Sequence, residues 1–202
     1  MLPINFDRMY FIRHGETDWN AQGRMQGQQD VPLNPKGHEQ AANAGKTLRN
    51  LIGPNPVTIA RDFDFYASPL YRTRQTMEIA RHQMGLPLQP YTLDDRLKEI
   101  TFGRWEGLTW DEVKARDPEM AAERVADKWG FVPPEGESYA MVAERIRPWF
   151  KTITGDCVVV SHGGVARVFM ALIGGVDPVL APNLDIWQGR VLVFQDGKYN
   201  WV

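Results

Sequence analysis

The chain of 202 residues contains a single cysteine, Cys157. That excludes an intrachain disulfide and any zinc site built from paired thiolates, and its place in an apolar run reads as core packing and not as a working thiol. Charge of one sign is missing too: 23 Lys and Arg against 25 Asp and Glu leave a net −2. Such a balance gives no bulk attraction to nucleic acid or to an anionic membrane, so any basic character has to be local. Long hydrophobic runs are absent, since the longest, Val165 to Val176, is interrupted by Arg167 and is too short to span a bilayer. The opening MLPINFDRMY has neither a basic start nor an apolar core with small-residue cleavage signals, so a secretory signal is not expected and a cytoplasmic protein follows by elimination. Histidines number four and lack ligand spacing, which predicts no metal site. No Walker lysine pattern or dinucleotide fingerprint is present, so no cofactor is expected; there is also no internal repeat, linker or low-complexity tract.

With 43% hydrophobic and 24% charged residues, what remains is ordinary material for one generous α/β domain, residues 1–202. The informative stretch is Met9 to Asn20. Tyr10-Phe11-Ile12 reads as a short buried strand, and Arg13-His14-Gly15 follows at once. Gly15 allows a positive φ and room for a ligand, and Arg13 offers a planar five-donor fork suited to phosphate or carboxylate oxygens. A second copy of the pattern lies 148 residues on, where Cys157-Val158-Val159-Val160 ends in Ser161-His162-Gly163-Gly164. In open α/β sheets the ligand crevice lies at the carboxyl ends of the strands, so His14 and His162 can face each other across one site.

The rest of the chain alternates helix and strand signals. Glu16 to Gly27 reads as a polar loop with two glycines and amide side chains that can wrap an anion, which makes Asn20, Arg24, Gln26 and Gly27 candidate substrate contacts, with Gly163 beside His162. Asn34-Pro35 opens a helix closed by Gly53-Pro54. Asp64 to Ala67 is a strand, and Ser68-Pro69 opens a helix running to Gly85. Arg72 sits in its first turn, where N–H groups and the macrodipole already favour anions, whereas Arg74 and Arg81 read as a solvated face. An extended segment is expected within Leu88 to Leu97. Thr109 and Glu112 form a capping box, a second short helix covers Glu119 to Trp129, and residues 104–137 fit a small helical cap insertion where substrate selection would reside. Ser138 caps an amphipathic helix ended by Gly155, another helix starts at Val165, and Asp196-Gly197 joins two terminal strands as a hairpin.

Arg13 to Thr17 (RHGET), Gly23 to Leu33, Ser68 to Thr76, Glu99 to Gly107, Pro134 to Tyr139 and Ser161 to Gly164, in that order, resemble the histidine phosphatase superfamily, also called the phosphoglycerate mutase-like family. The resemblance implies a three-layer α/β/α sandwich with a mostly parallel central sheet. It implies that His14 becomes phosphorylated, that Arg13, Arg72 and His162 surround the phosphoryl oxygens, and that Glu99 is the proton donor, with Glu106 as the rival acid. Glu99 must then be protonated as the leaving alkoxide departs and act as base for water afterwards. His14 must stay unprotonated at one nitrogen, held by a backbone carbonyl on the other, while the bound dianion favours His162 as imidazolium. True mutases of the family carry a longer insertion and a tyrosine-containing phrase where this chain has Ile100-Thr101-Phe102-Gly103, a departure that favours a phosphatase. The expectation is a phosphoric monoester hydrolase acting on a small phosphorylated metabolite without a metal; monomer and homodimer both stay open. The alternatives are a phosphoglycerate mutase and a phosphate or phosphoprotein recognition module without turnover.

Overall fold

A computed structural model describes residues 4–202. The expectation of no secretory signal falls partly on residues 1–3, outside the described residues. Along the chain, β1 (Arg8–Arg13) leads to a one-turn helix α1 (Asp18–Ala21), then α2 (Pro35–Ile52), α3 (Pro56–Asp62), β2 (Asp64–Ala67), α4 (Tyr71–Gln83) and β3 (Thr92–Leu93). The second half supplies α5 (Trp110–Arg116), α6 (Pro118–Ala126), α7 (Tyr139–Phe150), β4 (Cys157–Ser161), α8 (Gly163–Ile173), β5 (Leu192–Gln195) and β6 (Lys198–Trp201).

The six strands form one sheet in the order β3-β2-β4-β1-β5-β6, parallel from β3 to β1 and antiparallel through β5 and β6. Period-two alternation sends Met9, Phe11, Cys157 and Val159 to one face and Tyr10, Ile12, Val158 and Val160 to the other. The first set packs with Val142, Ile146 and Trp149 of α7 and Phe169 of α8, the second with Ala44 and Leu48 of α2, Ile59 of α3 and Met77 of α4. Three layers result, and β4 reads as an unbroken apolar run because both its faces are covered. The β1–β4 register pairs Arg13 with Ser161, so the two histidines leave the sheet at the same level. A slip by one residue would turn every apolar side chain of β1 to the wrong layer, so the hydrophobic pattern also fixes the histidine pair.

Caps set most helix starts as expected. Asn34 accepts from Gly37 N at 2.8 Å, Thr109 and Glu112 cap each other, and Ser138 accepts from Met141 N at 3.2 Å. Several boundaries differ. Residues 18–21 form a one-turn helix because Thr17 and Asn20 make a reciprocal capping box, and Asn55-Pro56 starts α3, which the sequence reading passed over. Helix α4 begins at Tyr71, with Leu70 at its N-cap and no side chain capping it, and α8 begins at Gly163, directly after His162. Helix α7 ends at Phe150 in a tighter turn, with Thr152 N donating to Trp149 O at 2.9 Å, although Ile153 remains buried. Arg81 is not solvated: only 4% exposed, its guanidinium lies 4.5 Å from the Phe65 ring centre and its Nε donates to Pro87 O at 2.9 Å. Arg74 is half-buried, over the ring of Tyr71. Helices α5 and α6 enclose a separate small apolar cluster around Trp105, Val113 and Ala121, stacked by Phe131. Among the described residues no helix is long and apolar enough to cross a membrane.

Candidate active site

Where β1 and β4 end, the rings of His14 and His162 stand 5.2 Å apart between centres. Both are buried, at 2% and 0% exposure. His14 N donates to Ser161 O at 2.9 Å, which extends the sheet ladder by one residue and fixes the ring's starting point. Its Nδ1 lies 2.7 Å from Gly15 O, a bond that places the proton on Nδ1 and leaves the lone pair on Nε2. Gly15 is required for a different reason from the one its sequence suggests. Its φ is not positive; a Cβ there would lie 2.2 Å from the carbonyl oxygen of Gly37, so glycine admits the backbone of α2.

His162 caps α8 and its Nε2 lies 2.8 Å from Ser68 Oγ. Arg13 donates through Nη1 to Ile186 O at 2.7 Å, and Arg72, fully buried, donates through Nη1 and Nη2 to Gln29 O and Gly27 O, each at 2.7 Å. Arg72 thereby ties the 26–30 loop to the start of α4. Gly27 takes φ +53, and a Cβ on it would collide with Glu106. Among the described residues, six buried side-chain nitrogens have no hydrogen-bond partner: Arg13 Nε, Arg72 Nε, His162 Nδ1 and Gln26 Nε2, and besides them Arg74 Nε and Trp149 Nε1. Native interiors rarely leave such groups unpaired, so each calls for a partner such as water, an ion or a ligand.

The electrostatics follow from burial and these cations. Desolvation, with Arg72 and Arg13 adding to it, holds His14 well below its ordinary pKa, so its imidazole is neutral. His162 is held down by desolvation and then chiefly by Arg72 and His14. The imidazolium expected at His162 therefore depends on an anion arriving. Burial lowers Arg13 and Arg72 to about 10, still charged at neutral pH, and the field of Glu99 opposes that shift in both.

Glu99 approaches from the segment between β3 and α5. Its Oε1 accepts from Gly164 N at 3.0 Å and Ile100 N at 2.9 Å, so the first turn of α8 and the local backbone aim the carboxylate. Glu106, the rival, is otherwise engaged: Oε1 accepts from Thr101 Oγ1 at 2.7 Å, Gln28 N at 3.1 Å and Phe102 N at 3.2 Å, while Oε2 accepts from Gln29 Nε2 at 2.9 Å. It staples two loops together.

The secondary candidates divide. Gln26 is buried and bonded to Thr17 Oγ1 at 2.8 Å, within the cluster. Asn20 Oδ1 accepts from Thr17 N and Gln188 Nε2, at 3.2 and 3.1 Å, as part of the α1 cap. Arg24 points to the start of α5, donating to Gly107 O at 2.7 Å and pairing with Glu112 at 3.1 Å, so it links its loop to that helix. Gly163 opens α8; a Cβ on it would lie 3.5 Å from Arg13 Nε. His38 lies on the exposed face of α2.

Four supporting residues went unrecognised in the sequence. Ser68 bonds His162, Thr76 Oγ1 accepts from Gly15 N at 3.1 Å, Gln188 Nε2 donates to His14 O at 3.1 Å, and Arg145 holds the backbone around Glu99. Ser68 and Thr76 fall inside the quoted Ser68 to Thr76 phrase, which was the available signal. No three His, Cys, Asp or Glu side chains come together as a metal site among the described residues.

The family model described as histidine phosphatase superfamily (branch 1) matches residues 9–202. The chain belongs to that superfamily. It is 34% identical over 181 residues to a glucosyl-3-phosphoglycerate phosphatase of Mycolicibacterium vanbaalenii, covering 83% of this chain and 74% of that protein. A 2,3-bisphosphoglycerate-dependent phosphoglycerate mutase of Beijerinckia indica is 26% identical over 194 residues, covering 93% and 90%. The solved structure of a mycobacterial glucosyl-3-phosphoglycerate phosphatase in complex with VO3 superposes with a TM-score of 0.77 at 26% identity, over 97% of each chain. The superfamily chain thus has both phosphatase and mutase relatives, and its three-layer α/β architecture agrees with theirs.

Proposed function

We propose that the chain is a phosphomonoesterase that hydrolyses a small phosphorylated metabolite through a phosphohistidine on His14, without a metal ion. The observation that carries this reading is the neutral imidazole of His14, with Nε2 available, set beside unpartnered buried nitrogens of Arg13, Arg72, His162 and Gln26. Phosphoryl transfer asks for an in-line nucleophile and neutralised equatorial oxygens, and this set supplies both. The VO3 complex of the mycobacterial phosphatase, an oxyanion on a similar scaffold, supports it further.

In the first step His14 Nε2 forms a bond to phosphorus as the ester oxygen leaves with a proton from Glu99. In the second, Glu99 takes a proton from water, the water oxygen bonds to phosphorus, and the P–N bond breaks to restore His14. His162 gains a proton when the dianion arrives and donates to its oxygens alongside Arg13 and Arg72. Hydrolysis is favoured over mutase chemistry by the short phrase after Glu99, where Thr101 and Phe102 are committed to Glu106. The cap around α5 and α6 would select the alcohol half of the substrate.

Labelling with a phosphoryl donor tests the reading. The wild type should yield an acid-labile, alkali-stable phosphoenzyme and His14→Ala none; labelling of the variant at wild-type level would remove His14 as the nucleophile. A coupled assay primed with bisphosphoglycerate separates the mutase, which interconverts 2- and 3-phosphoglycerate without releasing phosphate.

A further inference from the structure

The two histidines of the site have different kinds of partner behind them. His14 Nδ1 lies 2.7 Å from Gly15 O, a carbonyl that can only accept, so the proton sits on Nδ1 and Nε2 offers a lone pair. His162 Nε2 lies 2.8 Å from Ser68 Oγ, a hydroxyl, which can donate or accept. Ser68 is fully buried and its main chain is pinned: its N donates to Val160 O at 3.1 Å, and its O accepts from Thr73 Oγ1 at 2.8 Å. The hydroxyl therefore stands at a fixed point where β2 ends beside β4.

Among the described residues, Ser68 Oγ has one other partner, Leu70 N at 3.4 Å, which only donates. The hydroxyl proton is left with a single acceptor, His162 Nε2. Were the neutral ring protonated at Nε2, the Ser68 proton and the Nδ1 lone pair would both be buried without partners. With the ring proton on Nδ1, Ser68 donates to Nε2 and the Nδ1 N–H alone stays open. Each buried polar group left unpaired is costly, so the arrangement with one open group prevails over the one with two. The ring is neutral to begin with. Burial pushes His162 below its ordinary pKa, and Arg72 of α4, His14, Arg145 of α7 and Arg13 of β1 add to that, while the Glu99 carboxylate faces the same turn through Gly164 N.

We propose that Ser68 is a positioning residue that fixes His162 in the Nδ1–H tautomer, so that His162 meets the phosphoryl group as a hydrogen-bond donor through Nδ1. The two imidazoles then carry their proton on the same atom but turn opposite ends to the site: His14 a lone pair that forms the P–N bond, His162 an N–H for an equatorial oxygen. When the bound dianion favours a second proton on His162, that proton adds at Nε2 and Ser68 turns its hydroxyl to accept from it. Alanine would serve neither state. What Nδ1 donates to rests on the phosphomonoesterase reading; the tautomer does not.

Nitrogen-15 spectra of the anion-free protein at neutral pH, with the His162 signals assigned by their loss in His162→Gln, read the tautomer directly. Protonated Nδ1 and bare Nε2 are expected; the reverse overturns the proposal, with no variant at position 68 and no turnover needed. In Ser68→Ala the ring should lose that preference, and its imidazolium should lose the acceptor at Nε2. The p-nitrophenol burst from p-nitrophenyl phosphate, a step that needs no proton from Glu99, should slow by about 10- to 100-fold, the worth of a hydrogen bond to a charged group. Its alkaline limb should move down by about one to two pH units. Ser68→Thr, which keeps the hydroxyl, should restore both the tautomer and the limb. A slowed burst in Ser68→Ala with tautomer and alkaline limb unchanged would reduce Ser68 to packing and overturn the proposal. A wild type that releases no p-nitrophenol, with Nδ1 protonated as expected, would sink the phosphatase and leave the role of Ser68 in setting the tautomer standing.

Discussion

Arg145 Nη2 donates to the main-chain oxygen of Glu99 at 3.2 Å and to that of Lys98 at 2.7 Å, while its Nε pairs with Glu137 Oε1 at 3.0 Å. Gln28 Nε2 takes the same Glu99 oxygen at 3.0 Å, and Ser161 Oγ bonds Leu97 O at 2.7 Å. The loop that presents the candidate proton donor is therefore held from α7, from the 26–30 loop and from the strand that carries His162.

Loosening that hold should separate positioning from binding. Arg145→Met leaves Arg13, Arg72 and the two histidines in place but frees the carbonyls of Arg96 and Lys98 and takes one of two donors from that of Glu99, and a displacement of about 1 Å can cost on the order of 100-fold in rate. The expected result is a large fall in kcat on alkyl phosphates with KM and inorganic phosphate inhibition nearly unchanged. An equal loss of the p-nitrophenol burst, the one step that needs no proton from Glu99, would point to general unfolding of the loop.

Gly164→Ala should act on the same carboxylate from the other side. A Cβ there would stand 2.4 Å from Glu99 Oε1 and 2.7 Å from Ile100 Cγ2. The carboxylate has to swing away, so kcat on alkyl phosphates should fall by roughly 10-fold or more, within the usual range for acid–base catalysis. Melting temperature should drop only modestly, because small-to-large changes typically cost about 1–3 kcal/mol. Full activity would mean that Glu99 works from some other position.

Stability should depend on the two buried histidines. Their folded-state pKa values lie below the ordinary 6.5, so the unfolded chain binds protons that the folded chain refuses. Stability is then insensitive to them above about pH 6.5 and falls as pH drops below it, by about 1.4 kcal/mol per pH unit for each histidine. Urea denaturation between about pH 5 and 6.5, above the main carboxylate range, should show a slope that His162→Gln halves. An unchanged slope in that variant would mean His162 titrates normally.

Much of this was legible in the sequence, for identifiable reasons. Each histidine ends an apolar run, and runs buried on both faces become neighbouring parallel strands, so Arg13 and Ser161 pair and the imidazoles meet. Arg72 was legible from its place in a helix's first turn. Gln188 was not, because nothing in an aperiodic loop says that its amide returns to His14, 174 residues away. Arg81 looked like surface since a helical pattern cannot show that Phe65 of a neighbouring strand will cover it. The ranking of Glu99 over Glu106 came from family resemblance; hydrogen bonding now supplies a physical reason, because Glu106 is already occupied by four donors.

The two glutamates should consequently fail in different ways. Glu106→Gln keeps one oxygen but sets an amide against the donor of Gln29, so it should cost about 1.5–3 kcal/mol of stability, the range for a hydrogen bond to a charged group, and leave kcat on a folded sample largely intact. Glu99→Gln keeps shape and hydrogen-bonding capacity but cannot deliver or accept a proton, a function typically worth about 100- to 10,000-fold. On alkyl phosphates the loss should be severe. On p-nitrophenyl phosphate the leaving group departs without protonation, so phosphorylation of His14 should be much less impaired than hydrolysis of the phosphohistidine, which still needs a base for water. Stopped-flow traces should then show a burst of p-nitrophenol followed by a slow steady state, with phosphoenzyme accumulating and disappearing in the His14→Ala, Glu99→Gln double variant. If Glu99→Gln loses the burst with the turnover, or loses neither, the carboxylate at Gly164 N is not the acid and base, whatever its geometry.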